Sequence, residues 1–263
     1  MKKRLWIITG LLIIVATVAA LSGCKEFPRI IGSNNIETRD FDYSGFTRID
    51  ISHAFTAEIV QSDNYQVEVT LNDNLFDYLS ISRSGNTLTI KMDPMSSFLH
   101  TTQHVKISLP DLVAVTISGA SHGTVTGFAD ATLFDLNVSG ASRLEIDGLK
   151  TTGSTYIEVS GASRLSGNLD TVDGDFTVSG ASTLELSGSA TDVKLDVSGA
   201  SHATLGTFKI VDTSVSVTGA SSATIDVSGR LDLNVSGASR LIYSGNATLG
   251  DVEVSGASTL NRQ

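Results

Sequence analysis

The chain has 263 residues, of which 28 are acidic and 18 are Lys or Arg, so its formal net charge is −10. This balance excludes nucleic acid as an expected partner, because phosphate binding requires a basic surface. A single cysteine in the whole chain excludes an internal disulfide.

The first 23 residues have the layout of a secretory signal. Met1-Lys2-Lys3-Arg4 precedes an apolar run from Leu5 to Leu21. The run leads into Leu21-Ser22-Gly23-Cys24, which resembles the lipobox of bacterial lipoproteins, where the cysteine receives a diacylglyceryl group. We predict a signal peptide over 1–23, lipidation of Cys24 and a tether over 24–36. The alternative is an uncleaved membrane-spanning helix.

Removal of the signal would change the charge of the chain. The mature form would keep 15 basic and 28 acidic residues, a net charge of −13. An acidic body is repelled by anionic headgroups, so the lipid on Cys24 would have to provide the membrane attachment.

Residues 37–110 alternate apolar and polar positions without a repeated motif. The alternation is clear around Ile49, over 65–71 and over 88–92. We predict irregular first β coils and a cap, because the open end of a stacked β structure must be covered.

Residues 111–263 form a repeat. Ser/Thr-Gly-Ala-Ser occurs eight times, at spacings of 21, 21, 19, 19, 20, 18 and 19 residues. Within one copy, Leu136, Val138, Gly140, Ser142 and Leu144 share one parity and polar residues share the other. Period-two alternation predicts strand with one buried face, and it places the glycine on that face. The repeated glycines are Gly119, Gly140, Gly161, Gly180, Gly199, Gly219, Gly237 and Gly256.

A unit of about 20 residues cannot bury its own apolar face, but stacked units share one core. We therefore predict an all-β fold, a single-stranded parallel β-helix that is right-handed by the crossover preference. Each coil would contain two strands meeting at a glycine corner. An antiparallel meander or barrel is the alternative, although its hairpins favour Asn-Gly or Asp-Gly turns.

The serine after each motif alanine would form a ladder of hydroxyls. Gly180→Val should destabilise the fold by overpacking.

The opening Phe46-Thr47-Arg48-Ile49-Asp50-Ile51, the joint Leu109-Pro110-Asp111-Leu112 and the Val-Ser-Gly-Ala-Ser repeats carry a family likeness. They resemble the bacterial family called putative auto-transporter adhesin, head GIN domain, over about residues 40–260. The resemblance implies a β-helical fold, export and a role in surface adhesion, and it implies no catalytic residues. After Leu260 only three residues follow, without a membrane barrel, so we expect display by the acyl chain.

The first repeat contains Gly119-Ala120-Ser121-His122-Gly123, which matches the G-x-S-x-G nucleophile pattern of hydrolases. That pattern requires a strand-to-helix turn, and no helical periodicity flanks the motif. We interpret Ser121 as one rung of the serine ladder.

Charged side chains occupy outward positions in the repeats, among them Asp135, Glu145, Asp196 and Glu253. Paired carboxylates on such a face could perform acid–base chemistry. Their even spread over the coils favours solvation and charge pairing instead. Because no calcium-loop motif occurs, we predict no metal and no cofactor.

We therefore predict an exported, membrane-anchored lipoprotein of the cell surface or outer envelope. It would bind a surface glycan or a protein and would not be an enzyme. The alternative is a carbohydrate-active polysaccharide lyase or hydrolase. A scaffold predicts extended polar faces without a cleft, whereas an enzyme predicts one groove with clustered carboxylates and aromatic platforms.

Overall fold

The computed structural model describes residues 28–263. The predicted signal peptide and Cys24 lie outside these residues. Within the described part of the chain, no helix is long and apolar enough to cross a membrane. The single helical element there is a 3-10 helix, Asp73–Tyr78.

The described residues otherwise form strands and their connections. The strands are β1 (Arg29–Ile31), β2 (Ile36–Asp40), β3 (Arg48–Ile51), β4 (Thr56–Gln61), β5 (Gln66–Asn72), β6 (Leu79–Ser84), β7 (Thr87–Met92), β8 (Ser97–Leu99), β9 (Gln103–Leu109), β10 (Ala114–Ile117), β11 (His122–Thr126), β12 (Ala131–Val138), β13 (Arg143–Val159), β14 (Arg164–Asp170), β15 (Asp173–Val178), β16 (Thr183–Val197), β17 (His202–Val217), β18 (Ser222–Val227), β19 (Arg230–Val235), β20 (Arg240–Ser244), β21 (Thr248–Val254) and β22 (Thr259–Arg262).

Most strands pair in parallel with the equivalent strand of the next coil, which makes two long sheets. Sheet I contains the strands before each corner, in the order β7, β3, β10, β12, β13, β15, β16, β17, β19 and β21. Sheet II contains the strands after each corner, in the order β9, β4, β11, β13, β14, β16, β17, β18, β20 and β22. The predicted parallel β-solenoid is confirmed, and the antiparallel meander is wrong.

The stretch that connects one pair of strands to the next is itself extended in the middle coils. β13, β16 and β17 run from one corner to the next and belong to both sheets. We predicted two short strands and a variable connection for every coil. The connection forms a third side of these coils because Leu149 and Leu169 lie in register and are buried there.

The inward columns follow the predicted parity. Ile157, Phe176 and Leu195 lie in register on three successive coils and are all buried. The rings of Phe176 and Phe208 pack edge to face with centroids 6.0 Å apart. Each coil therefore buries its apolar side chains against the coils on both sides, because a unit of about 20 residues is too small to bury them alone.

The repeated glycines are not on the buried face, and this corrects the parity assignment. All eight are exposed and lie with positive φ between the strands of sheets I and II. Val138 ends one strand and Arg143 begins the next, with Ser142 already pointing inward. The corner preserves the parity of the buried positions, so alternation alone cannot distinguish it from a continuous strand.

A ladder of serines lies just inside the corner. Seven are buried: Ser121, Ser142, Ser163, Ser182, Ser201, Ser221 and Ser239. The Ser163 backbone N–H donates to Ser182 Oγ at 3.4 Å, and the Ser182 N–H donates to Ser201 Oγ at 3.3 Å. The hydroxyls thus accept hydrogen bonds from the backbone of the preceding coil, and burial of those N–H groups costs little.

Ser182→Ala should lower the free energy of unfolding by about 1 kcal/mol or more, because the buried Ser163 N–H loses its acceptor. Ser121→Ala is the matched control, since Ser121 Oγ is buried without a hydrogen-bond partner among residues 28–263. That variant should be neutral or slightly more stable. Urea unfolding of both variants measures the difference, and equal losses would contradict a role for the ladder.

The N-terminal cap contains a ninth corner that the motif does not reveal. Ser52-His53-Ala54-Phe55 joins β3 to β4, and His53 and Ala54 have φ values of 70° and 63°. The coil formed by β3 and β4 is stacked between two others. The coil of β10 and β11 lies on one side of it, and the coil of β7 and β9 lies on the other. The coils are therefore stacked in a different order from their order along the chain. Phe55 stands where the later coils have serine, and its carbonyl accepts from His122 N–H at 2.8 Å.

Antiparallel strands cover the N-terminal end of the solenoid. β5 pairs with β9 and β2 pairs with β5, while β6 pairs with β7. β1 lies within the segment 24–36, for which we predicted a tether, and pairs with β8. Residues 29–31 are therefore folded against the cap.

Candidate binding site

A shallow groove runs along the outer face of sheet II, from β11 to β17. It consists of two adjoining hollows of about 510 and 320 Å³ that share Gly167 and Ser187. No aromatic side chain of residues 28–263 lines it. The polar side chains along it are those of Thr124, Thr126, Glu145, Asp147, Ser166, Asn168, Glu185, Ser187, Thr204 and Thr207.

Gly167 explains why the face is hollow at this place. Its φ is +142°, and a Cβ there would overlap the carbonyl oxygen of Ile146 in the neighbouring coil. The pairing of β13 with β14 also shifts register just after Ile146. A glycine inside a strand often marks such a close approach of two backbones, and this signal could have located the groove in the sequence.

The charges beside the groove are mixed. Arg143 and Arg164 lie in register on adjacent coils, and the Arg164 guanidinium donates to the carboxylate of Glu185. Glu145 and Asp147 form no ion pair with any of residues 28–263. Two free carboxylates, hydroxyls and an amide therefore face solvent together along the groove. Such a set offers both acceptors and donors to a polyhydroxylated ligand.

Four carboxylates of sheet I are arranged differently, because two cations bridge them in pairs. Lys194 Nζ lies 2.9 Å from Asp196 and 3.7 Å from Asp175. The hydrogen bond to Asp196 raises the pKa of Lys194. These side chains are exposed, so the pairs contribute little to stability, and they match the predicted charge pairing.

Arg230 makes the second bridge on sheet I. It bonds to Asp232 at 2.6 Å and lies 3.6 Å from Asp251, and the hydrogen bond from Arg230 lowers the pKa of Asp232. A carboxylate held ionised by a guanidinium is a poor general acid. These paired carboxylates of sheet I therefore have the chemistry of a solvated surface.

The hydrolase motif does not form a nucleophile elbow. Ser121 is buried under the corner, and the strand β11 follows it where the elbow requires a helix. Among residues 28–263 no group of three or more His, Cys, Asp or Glu side chains could hold a metal ion. The groove residues Asp147, Asn168 and Ser187 were not singled out by the sequence, because their clustering depends on the register between coils.

Solved structures of low sequence identity share the fold. A protein described as a putative adhesin from Parabacteroides merdae ATCC 43184 matches with a TM-score of 0.79 and 17% identity over 90% of this chain and 99% of its own. A putative adhesin from Bacteroides fragilis NCTC 9343 matches with a TM-score of 0.70 and 18% identity over 89% and 100%.

A third similar structure is described as a putative lipid binding protein. It comes from Parabacteroides distasonis ATCC 8503 and matches with a TM-score of 0.76 and 17% identity over 89% of this chain and 99% of its own. A sequence search of curated proteins finds no match. The family model for the putative auto-transporter adhesin, head GIN domain, matches residues 45–247. The predicted resemblance is confirmed: this chain belongs to that family.

Proposed function

We propose that this protein is a non-catalytic, adhesin-like binding scaffold of the cell envelope, held there by a lipid on Cys24. The observation that supports it best is the groove on sheet II, which crosses five strands and is lined by hydroxyl, amide and carboxylate groups. The neighbouring structures described as adhesins agree with a binding role.

The shape of the groove favours an extended glycan as the ligand. The groove follows the solenoid axis, and successive coils place polar groups at intervals of about 4.8 Å. An elongated polyhydroxylated chain could therefore make similar hydrogen bonds to several coils in succession. Without an aromatic platform the contacts would be polar, so binding would depend on many weak contacts made together.

A glycan array and a polysaccharide-depolymerisation screen on the full-length chain in detergent test the proposal, with and without calcium. We expect binding of an extended glycan without cleavage. Glu145→Gln with Asp147→Asn should weaken that binding. Asp175→Asn with Asp196→Asn, which removes two carboxylates from sheet I, should leave it unchanged. Equal effects of both double variants would argue against the groove.

A carbohydrate-active enzyme is the second candidate, and one observation favours it. Glu145 and Asp147 lie two residues apart on the same strand and both line the groove, as paired catalytic carboxylates would. Cleavage of a polymer by the wild-type chain, abolished in the Glu145→Gln and Asp147→Asn variants, would overturn the scaffold proposal.

The lipid anchor makes a separate prediction. Cys24→Ala should abolish incorporation of radiolabelled palmitate in the producing bacterium, because the thiol that accepts the lipid is lost. The wild-type chain provides the positive control, and Ser22→Ala, which keeps a small residue before the cysteine, should still be labelled. Labelling of Cys24→Ala equal to the wild type would contradict lipidation at this residue.

A further inference from the structure

The ladder between coils has a gap where the cap meets the first regular repeat. Ala131 and Leu133, at the start of β12, pair with β13 on one side. On the other side, β10 begins only at Ala114, opposite Asp135. Within residues 28–263, no strand pairs with that edge of residues 131–133. The Ala131 carbonyl accepts from Thr152 Oγ1 at 3.5 Å. The remaining N–H and C=O groups of this strand edge face a gap inside an otherwise continuous sheet.

A hollow of about 300 Å³ lies beside this unpaired edge, between residues 110–113 and 128–133. Its floor is apolar, since Leu112 and Phe128 line it and are each only 2% exposed. Leu133 lines it as well and is 36% exposed. The hollow is thus an apolar pocket next to a free strand edge.

The rim of the hollow is acidic. Asp111 and Asp130 line it, both are exposed, and neither forms an ion pair with any of residues 28–263. The one amide at the rim, Gln61, donates to the Pro110 carbonyl at 3.2 Å. The rim thus presents negative charge that no cation among residues 28–263 neutralises.

We propose that this slot binds an extended segment of a partner protein as an added β-strand. The backbone of the segment pairs with residues 131–133, one apolar side chain enters the hollow, and a neighbouring Lys or Arg meets Asp111 and Asp130. In strand addition, main-chain hydrogen bonds provide affinity and pockets for alternate side chains provide specificity. The slot and the groove on sheet II are separate, so each can be tested without the other.

Charge and geometry together select this occupant. A free lipid chain would fill the apolar floor but would leave the strand edge and both carboxylates unpaired. An acidic segment would be repelled by Asp111 and Asp130. A basic extended peptide satisfies all three features of the slot.

Fluorescence anisotropy with the full-length chain in detergent tests the proposal, with a labelled Lys-Val-Lys-Leu-Lys peptide as the probe. We expect saturable binding that weakens at least tenfold, by about 1.4 kcal/mol, in Asp111→Lys with Asp130→Lys. Glu145→Lys with Asp147→Lys makes the same change of charge in the groove and should leave affinity within about twofold. Equal losses in both double variants, or no saturable binding, would overturn the proposal.

Methylation of the peptide backbone tests the strand pairing itself. The N–H groups of a strand point alternately to its two edges. Two probes, methylated at odd or at even positions, should therefore differ at least tenfold in affinity. Equal affinities of the two probes would mean that only charge attracts the peptide, and this would also overturn the proposal. If both peptide assays gave a negative result while the protein still bound glycan, only the slot proposal would fail and the proposed function would stand.

Discussion

Replacing Gly180 by alanine should lower the free energy of unfolding by roughly 2–5 kcal/mol. Gly180 has a φ of +79°, a region that costs any residue with a Cβ. A Cβ there would also lie 2.5 Å from the carbonyl oxygen of Gly161 in the preceding coil. That carbonyl accepts from the Ala181 N–H at 2.8 Å, so it cannot move away without loss of a hydrogen bond.

Gly148→Ala separates the two causes. Gly148 also has positive φ, at +68°, but no atom would lie within 4 Å of its added Cβ. This control should lose only the conformational part, about 1–2 kcal/mol. Urea denaturation followed by far-UV circular dichroism measures both variants. If Gly180→Ala lost no more than Gly148→Ala, close stacking of the corners would not be what requires glycine there.

Phe176→Ala should lower the free energy of unfolding by roughly 3–5 kcal/mol. Phe176 is fully buried on the inward column of sheet I, and its ring packs on Phe208. Alanine would leave a cavity between coils, because the backbone ladders on both sides hold the spacing of the coils and prevent collapse. The same denaturation experiment measures the loss.

Tyr156→Ala is the matched control for this cavity. Tyr156 is an aromatic residue of sheet I in the adjacent coil, but it points outward and is 46% exposed. Its removal should cost about 0.5 kcal/mol or less, as at other surface positions. Similar losses at Phe176 and Tyr156 would contradict a core role for the Phe176 ring.

Gly180→Ala and Gly148→Ala also test how ligand binding in the groove depends on the spacing of the coils. The groove exists because Gly167 approaches the Ile146 backbone, where the pairing of β13 with β14 shifts register. A change at the corner or in the core that alters the spacing of coils would displace Glu145 relative to Ser187. Binding along the groove should therefore be lost together with stability in Gly180→Ala, and kept in Gly148→Ala.

Local pattern determines much of this protein. Strict alternation in residues such as Leu136 and Val138 identifies the buried face, because side chains of a strand alternate between its faces. The eightfold spacing of Ser/Thr-Gly-Ala-Ser implies stacked coils, since a unit of that size cannot form a core alone. The solenoid, its inward columns and its family could all be predicted from these features.

Only the tertiary structure decided where distant segments meet. The alternation cannot reveal that Gly140 turns a corner outward, because the corner conserves parity. The coil with Phe55 carries no glycine and stacks out of chain order, since its partners come from β7 and β10. Gly167, a glycine inside a strand, is a local signal of the groove, but the register that gathers the groove residues depends on pairing between coils. The slot at residues 131–133 arises from a missing partner strand and leaves no local pattern in the sequence.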